Sequence, residues 1–210
     1  MNYMQIKYPD VANGPGIRVS LFVSGCDRHC EGCFNPESWP HDAGKLMTYR
    51  EYNEILRLLD KPEVAGLSVL GGEPLLPENL SGVSWLIQAA VYAHPDKPVW
   101  IWSGYTYEEL VCKRYGWLSS EMKRMLRDVL DKADVLVDGP YIEAQRDLTL
   151  RFRGSKNQRI IDLKRTRQAK SIVLWEDESQ AAYMGTKQQN MLDYIRRGFG
   201  ENAEGTGGHG

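Results

Sequence analysis

Three cysteines lie within eight consecutive residues, and their spacing is the strongest chemical signal in the chain. They are Cys26, Cys30 and Cys33, in a C-x3-C-x2-C pattern. Thiolates are the ligands of iron–sulfur clusters and of many zinc sites, so three on one loop can converge on one inorganic centre. Reactive thiols without a metal are a third possibility. Zinc sites usually carry a second cysteine or histidine pair, and only His29 and His41 are nearby, so the spacing favours a four-iron cluster with three protein ligands.

The composition predicts an ordinary globular domain. The chain has 210 residues, 42% of them apolar, which is enough to bury a core without disulfides. Its 26 basic and 28 acidic residues give a formal charge of -2, which disfavours a protein that binds nucleic acid or coats an anionic membrane. No uncharged apolar stretch approaches the roughly 20 residues that span a bilayer, and a signal-peptide pattern is absent from the start. We therefore expect a cytoplasmic protein with reduced thiols.

The apolar pattern predicts strands that alternate with helices. The predicted strands are residues 18–23, 66–70, 99–102 and 135–137, with a further short strand possible at 171–175. Two capping boxes, Thr48 with Glu51 and Thr106 with Glu109, predict that a helix follows each of them, the first over 49–60. Alternation of this kind requires crossover connections, and it therefore predicts an α/β fold with parallel strands covered by helices.

Polar and glycine residues follow the predicted strands at their carboxyl ends. They are Cys26, the turn Gly71-Gly72-Glu73, the pair Ser103-Gly104, and Asp138. Ligands bind at this edge in open α/β sheets and in barrels. We therefore expect these residues to lie close together around one site.

The order of these motifs resembles the radical S-adenosylmethionine enzymes. The resemblance is carried by the cysteine loop after the first predicted strand and by Gly71-Gly72-Glu73-Pro74 after the second. It implies an oxidoreductase in which Cys26, Cys30 and Cys33 hold a [4Fe-4S] cluster, and in which S-adenosylmethionine binds the fourth iron through its amino and carboxylate groups. It also implies a partial (βα)6-type barrel with parallel strands and outer helices, open on one side.

Further segments narrow the resemblance to the glycyl radical activases, and among them to those of anaerobic ribonucleoside-triphosphate reductases. These segments are Asn13-Gly14-Pro15-Gly16-Ile17-Arg18, Gly32-Cys33-Phe34-Asn35, and residues 100–105, 134–139 and 153–159. In such enzymes a one-electron donor such as flavodoxin reduces the cluster, and S-adenosylmethionine is cleaved to a 5′-deoxyadenosyl radical that takes a hydrogen atom from a glycine. The implied partner is the glycyl radical subunit of the reductase. An activase of another glycyl radical enzyme and a zinc-binding interaction module are the alternatives.

The resemblance also assigns contacts to the cofactor. It places Gly71, Gly72 and Glu73 at the methionine end and Ser103 and Gly104 at the ribose. Phe34, one residue after the last cysteine, is a candidate contact of the adenine, with packing inside the loop as the alternative. For Asp138 we expect a strand-end hydrogen bond, with cation binding as the alternative.

Two segments have no assigned role. Residues 151–170 contain eight Lys or Arg and one acid, Asp162, which predicts a solvated face or a surface that binds a partner or an anion. The apolar period weakens near the end, so we expect an activase domain over 1–176 and an extension over 177–210 that is flexible at its end. Cys112 stands apart and is expected to be a small packed residue of a helix.

Overall fold

A seven-stranded sheet forms the centre of the computed structural model, which describes residues 1–111 and 118–176. The strands are β1 Asn2–Asp10, β2 Ile17–Val23, β3 Lys45–Leu46, β4 Val64–Gly71, β5 Val99–Trp102, β6 Val135–Asp138 and β7 Arg159–Asp162. The helices in these ranges are α1 Tyr49–Leu59, α2 Pro77–Ala93, α3 Tyr107–Val111, α4 Ser120–Lys132 and α5 Leu163–Ala169. The predicted α/β class is confirmed.

The sheet is mixed rather than purely parallel. Its order is β3-β1-β2-β4-β5-β6-β7. The neighbouring pairs β2–β4, β4–β5 and β5–β6 are parallel. At the two edges, β1 pairs antiparallel with β2 and with β3, and β7 pairs antiparallel with β6. The prediction that all strands are parallel is therefore wrong at the edges. Residues 11–16, which join β1 to β2, are too few for the crossover that a parallel pair requires.

The two faces of the sheet pack against different parts of the chain. Side chains alternate along each strand, so successive residues point to opposite faces. On β5, Val99 and Ile101 belong to the large core, together with buried side chains of α1, α2 and α4. Trp100 points to the other face, where Val135, Val137, Trp102, Phe152, Ile160 and Trp175 pack with it. The predicted capping box of α1 is present, and Thr106 and Glu109 form the reciprocal bonds of the second box ahead of α3.

Arg18 lies fully buried and joins three of the parallel strands. Its guanidinium donates to Ser68 Oγ at 2.6 Å, to the Leu67 carbonyl at 2.6 Å and to the Pro98 carbonyl at 2.9 Å. It also lies 5.6 Å from the centre of the Trp100 ring. Burial lowers the pKa of Arg18 to about 10. These contacts align β2 and β4 with the start of β5, and so fix the relative positions of their carboxyl ends.

The basic stretch 151–170 contains structure that the sequence reading missed. It includes β7 and α5, and Ile161 and Leu163 are buried in the main core. Residues 171–175, for which a short strand was possible, do not form one. Leu174 makes only an isolated bridge to Ile161, while the Trp175 ring packs edge-on against Trp100 at 4.9 Å.

Residues Met1–Trp175 form one compact unit. The expected extension over 177–210 and the lone Cys112 lie outside the described residues, so the predictions for them stay predictions. In the described ranges, no helix combines the length and the apolar character needed to cross a membrane.

Candidate active site

A cavity of about 520 Å³ lies at the carboxyl ends of the parallel strands. The structure brings the predicted site residues together here, since the cavity is lined by Cys26, Cys30, Cys33, Phe34, Gly71, Gly72, Glu73, Ser103 and Gly104. The expectation that strand ends separated by 30 or more residues converge on one site therefore matches the geometry.

Backbone hydrogen bonds fix the start of the cysteine loop. The amide of Gly25 donates to the Ser38 carbonyl at 2.8 Å, and the amide of Cys26 donates to the Trp39 carbonyl at 3.0 Å. The amide of Glu73 donates to the Gly25 carbonyl at 2.7 Å, which attaches the loop to the glycine turn. The three thiols of the loop are half-buried, and none is in a disulfide.

The thiols face the cavity from separate points of this loop. In the part of the chain that the structure describes, no three His, Cys, Asp or Glu side chains are grouped closely enough to hold a metal ion. Burial raises the pKa of the Cys26 thiol to about 11, and the nearby Glu73 carboxyl acts in the same direction. The sulfur of Cys33 accepts a hydrogen bond from the Asn35 amide at 3.4 Å.

The turn after β4 requires glycine at two successive positions. Gly71 has φ +112°, and a Cβ there would lie 2.6 Å from the Val23 nitrogen. A Cβ on Gly72 would lie 2.3 Å from the carbonyl oxygen of Gly25. Glycine thus allows the turn to pack directly against the backbone that leads into the cysteines.

Glu73 is a buried carboxyl that ties the end of β4 to the end of β5. Its Oε1 accepts hydrogen bonds from the Leu75 amide and from Ser103 Oγ, both at 3.0 Å, and its Oε2 accepts from the Gly104 amide at 2.7 Å. Burial raises the pKa of Glu73 to about 7, although these hydrogen bonds and the Arg28 charge lower it. The carboxyl therefore holds two turns that line the cavity in fixed relative positions.

Asp138 lies at the end of β6 and makes the predicted strand-end hydrogen bonds. Its carboxylate accepts from the Tyr107 amide at 2.7 Å and from Arg159 Nε at 2.9 Å. Arg159 also pairs with Glu108 at 2.6 Å, which lowers the pKa of Glu108 to about 2, and both acids raise the pKa of Arg159. The carboxylate is thus directed to β7 and α3, whereas the next residue, Gly139, lines the cavity.

Several lining residues were missed by the sequence analysis. Arg28, between two of the cysteines, lines the cavity and lies 4.9 Å from the centre of the Tyr105 ring. The segment between β6 and β7 contributes Tyr141, Arg146, Leu148 and several neighbours. Two signals pointed to this segment, the basic character of residues 151–170 and the family resemblance of residues 153–159. Arg153 and Gly154, which belong to both stretches, line the cavity.

The sequence of this chain is similar to those of known proteins. A family model described as a 4Fe-4S single cluster domain matches residues 12–161. Over 160 residues, the chain is 41% identical to the anaerobic ribonucleoside-triphosphate reductase-activating protein of Vibrio cholerae, covering 75% of this chain and 96% of the relative. The chain belongs to this family of activating proteins. Proteins of the same name from Enterobacteria phage T4 and Escherichia coli K12 are 37% and 36% identical over 160 residues, covering 93% and 96% of their lengths and 76% and 75% of this chain.

Membership in the family of activating proteins confirms the resemblance inferred from the motifs. The stretch that matches the 4Fe-4S model contains every predicted site residue and ends within β7. The family description supports an iron–sulfur centre as the cofactor class, as the cysteine spacing indicated.

Proposed function

We propose that this chain activates an anaerobic ribonucleoside-triphosphate reductase by generating a glycyl radical on its glycyl radical subunit. The observation that carries the proposal is that three free thiols, the glycine turn and Ser103-Gly104 line one cavity, in a chain of the activating-protein family. Each of these groups lies after a different strand of the parallel part of the sheet.

The residues of the cavity fit a [4Fe-4S] cluster with S-adenosylmethionine. Cys26, Cys30 and Cys33 supply three thiolate ligands, the donor type that such clusters require. The cavity volume of about 520 Å³ lies within the range of small-molecule sites. Gly71 and Gly72 present backbone without side chains, so a ligand can approach them closely.

Cys26, Cys30 and Cys33 would hold the cluster, which with S-adenosylmethionine would supply reductive, one-electron radical chemistry toward a glycine Cα, using an electron from an external donor. The chain binds and orients the reactants. We assign Gly71, Gly72 and Glu73 to the methionine end, Ser103 and Gly104 to the ribose, and Phe34 to the adenine. The exposure of Phe34 supports the last assignment, because the residue lines the cavity, is 76% exposed and is therefore available to an aromatic ligand.

The proposal extends to the shape of the sheet and to the electron donor. We infer an incomplete barrel, in which the face carrying Trp100 and Trp102 is the concave side and its opening admits a loop of the protein substrate. Among the described residues, no helix contributes to the cluster around Trp100 on this face, which supports this interpretation because a barrel interior must accommodate side chains and the cofactor. A cytoplasmic one-electron donor of the flavodoxin type supplies the reducing electron.

The test is electron paramagnetic resonance on the reductase subunit. The protein is reconstituted anaerobically with iron and sulfide, reduced with dithionite, and mixed with S-adenosylmethionine and the subunit. We expect a glycyl radical signal that is lost in Cys30→Ala and retained in Cys112→Ala, which removes a thiol outside the motif. A reconstituted wild-type protein that leaves the subunit without a radical would contradict the proposal.

A further inference from the structure

The segment between β6 and β7 contains a loop that lines the cavity, which we call the rim loop and define as residues 146–156. Its two arms are paired: Arg146 forms a bridge with Ser155, and the Asp147 amide donates to the Gly154 carbonyl at 3.2 Å. The Lys156 amide donates to the Gln145 carbonyl at 2.9 Å. These bonds hold the two arms of the loop together.

A side-chain turn fixes the tip of the rim loop. Asp147 Oδ1 accepts hydrogen bonds from the Thr149 amide at 2.9 Å and from the Thr149 hydroxyl at 2.6 Å. The Leu150 amide donates to the Asp147 carbonyl at 3.3 Å. Leu148 lies between Asp147 and Thr149 in the sequence, and it is 85% exposed. Its exposure is therefore imposed by a hydrogen-bonded turn.

The base of the rim loop is anchored to the sheet. Trp102 Nε1 donates to the Phe152 carbonyl at 2.8 Å, and the Phe152 ring packs edge-on against Trp100 at 5.4 Å. Arg153 donates to the Gln158 carbonyl, and Gln158 Oε1 accepts from the Gly154 amide at 2.9 Å. A loop held at its arms, tip and base presents a preorganised surface, which reduces the entropy lost when a partner binds.

Two strongly exposed apolar side chains line the same cavity from two different loops. They are Leu148 on the rim loop and Phe34 on the cysteine loop. Single exposed apolar residues are ordinary on protein surfaces, but apolar groups gathered at a cavity mouth are typical of binding sites.

The rim loop is positively charged although the whole chain is not. Residues 146–156 contain Arg146, Arg151, Arg153 and Lys156 against the single acid Asp147, a net charge of +3, whereas the chain carries -2. Charge complementarity steers association and selects among partners. A partner surface that carries acidic side chains is therefore complementary to the net charge of the rim loop.

We propose that the rim loop docks the glycine-bearing subunit of the reductase beside the cavity, with Leu148 as its apolar contact and its basic residues facing acidic residues of that subunit. This inference rests on the proposed function, and it adds which surface recognises the subunit and by what chemistry. Arg151, exposed on the same loop, represents the charged part of the surface.

The experiment compares binding with cofactor cleavage in three variants. Leu148→Ser and Arg151→Glu alter the rim loop, and Leu46→Ser is the matched control, since Leu46 is 66% exposed on β3 at the opposite edge of the sheet. For each protein, affinity for the purified reductase subunit is measured at two salt concentrations, and 5′-deoxyadenosine formation is measured without the subunit. Thermal unfolding confirms that each variant is folded.

We expect Leu148→Ser and Arg151→Glu to weaken binding by about tenfold or more, as interface contacts often do, while the control Leu46→Ser binds the subunit with wild-type affinity. Affinity of Arg151→Glu falls less steeply with salt than that of wild type. Equal affinity of Leu148→Ser and wild type for the subunit would overturn the proposed docking surface. Wild-type affinity of Arg151→Glu would overturn the proposal that the rim loop faces acidic residues. A wild-type protein that binds the subunit but forms no radical on it would instead contradict the proposed function.

Discussion

The Glu73 carboxylate accepts a hydrogen bond from the Gly104 amide at 2.7 Å, across the ends of two neighbouring strands. The two residues are 31 positions apart, and both line the cavity. A buried carboxylate, with hydrogen bonds from two turns, sets the distance between the groups that we assign to the two ends of S-adenosylmethionine. The same glycine turn also holds the cysteine loop, through the Glu73 amide and Gly25.

Removal of the Glu73 side chain should destabilise the protein even without a cofactor. Glu73→Ala leaves the buried donors of Leu75, Ser103 and Gly104 without their acceptor. Unsatisfied buried groups cost about 1–3 kcal/mol each, so we expect the free energy of unfolding to fall by at least about 2 kcal/mol. Urea unfolding of the cofactor-free protein measures this difference, and equal stability of variant and wild type would contradict the network.

The raised pKa of Glu73 predicts a pH dependence of stability. In the folded protein the carboxyl binds its proton up to about pH 7, whereas its ordinary pKa is 4.5. The folded state therefore holds more protons than the unfolded state between these values, and the free energy of unfolding falls as pH rises from about 4.5 to 7. Glu73→Gln removes this titration and should flatten the fall. Parallel pH profiles of the two proteins in urea unfolding would argue against a protonated Glu73.

A methyl group on Gly72 should separate the glycine turn from the cysteine loop. In Gly72→Ala the new Cβ would lie 2.3 Å from the Gly25 carbonyl oxygen, so the backbone must move. We expect a lower iron content after anaerobic reconstitution and weaker binding of S-adenosylmethionine. Gly154→Ala is the control, because its Cβ would meet side chains rather than backbone, namely the Tyr141 ring at 3.0 Å and Gln158 Oε1 at 3.8 Å. Equal iron content in the two variants would count against this packing.

The pair of Glu108 with Arg159 should contribute a small, pH-dependent stability. The folded-state pKa of Glu108 is about 2, below its ordinary 4.5, so its contribution is present above about pH 4.5 and is lost as pH falls toward 2. Because both side chains are partly exposed, we expect Glu108→Gln to cost less than about 1 kcal/mol at pH 6. The cost should shrink at pH 3, and an equal cost at both pH values would contradict the pairing.

The residues at the strand ends could be predicted because each follows an apolar run directly. Cys26, Gly71 and Ser103 were found in this way, and the parallel strands then brought them to one edge. β1 was missed because it lies toward the edge of the sheet, where half-exposed positions such as Lys7 and Tyr8 weaken the alternation.

The role of the basic stretch depends on contacts that are distant in sequence. Arg159 resembled one charge of a solvated face, but its guanidinium pairs with Asp138 and Glu108, which are 21 and 51 positions away. Most hydrogen-bond acceptors of Arg18 are backbone carbonyls, which any residue supplies. The sequence therefore contains no residue type that would predict these contacts. The position of the rim loop at the cavity follows from the antiparallel return of β7, which the sequence pattern did not predict.

The central claim is that Cys26, Cys30 and Cys33 hold a cluster that cleaves S-adenosylmethionine. The most direct measurement is 5′-deoxyadenosine formation by the anaerobically reconstituted and reduced protein, together with its iron, sulfide and zinc content. We predict about four iron atoms and four sulfides per chain, as a [4Fe-4S] cluster requires, and product that is abolished by Cys30→Ala. A protein that instead binds one zinc ion and forms no 5′-deoxyadenosine would contradict the account and make the cysteine loop a structural metal site.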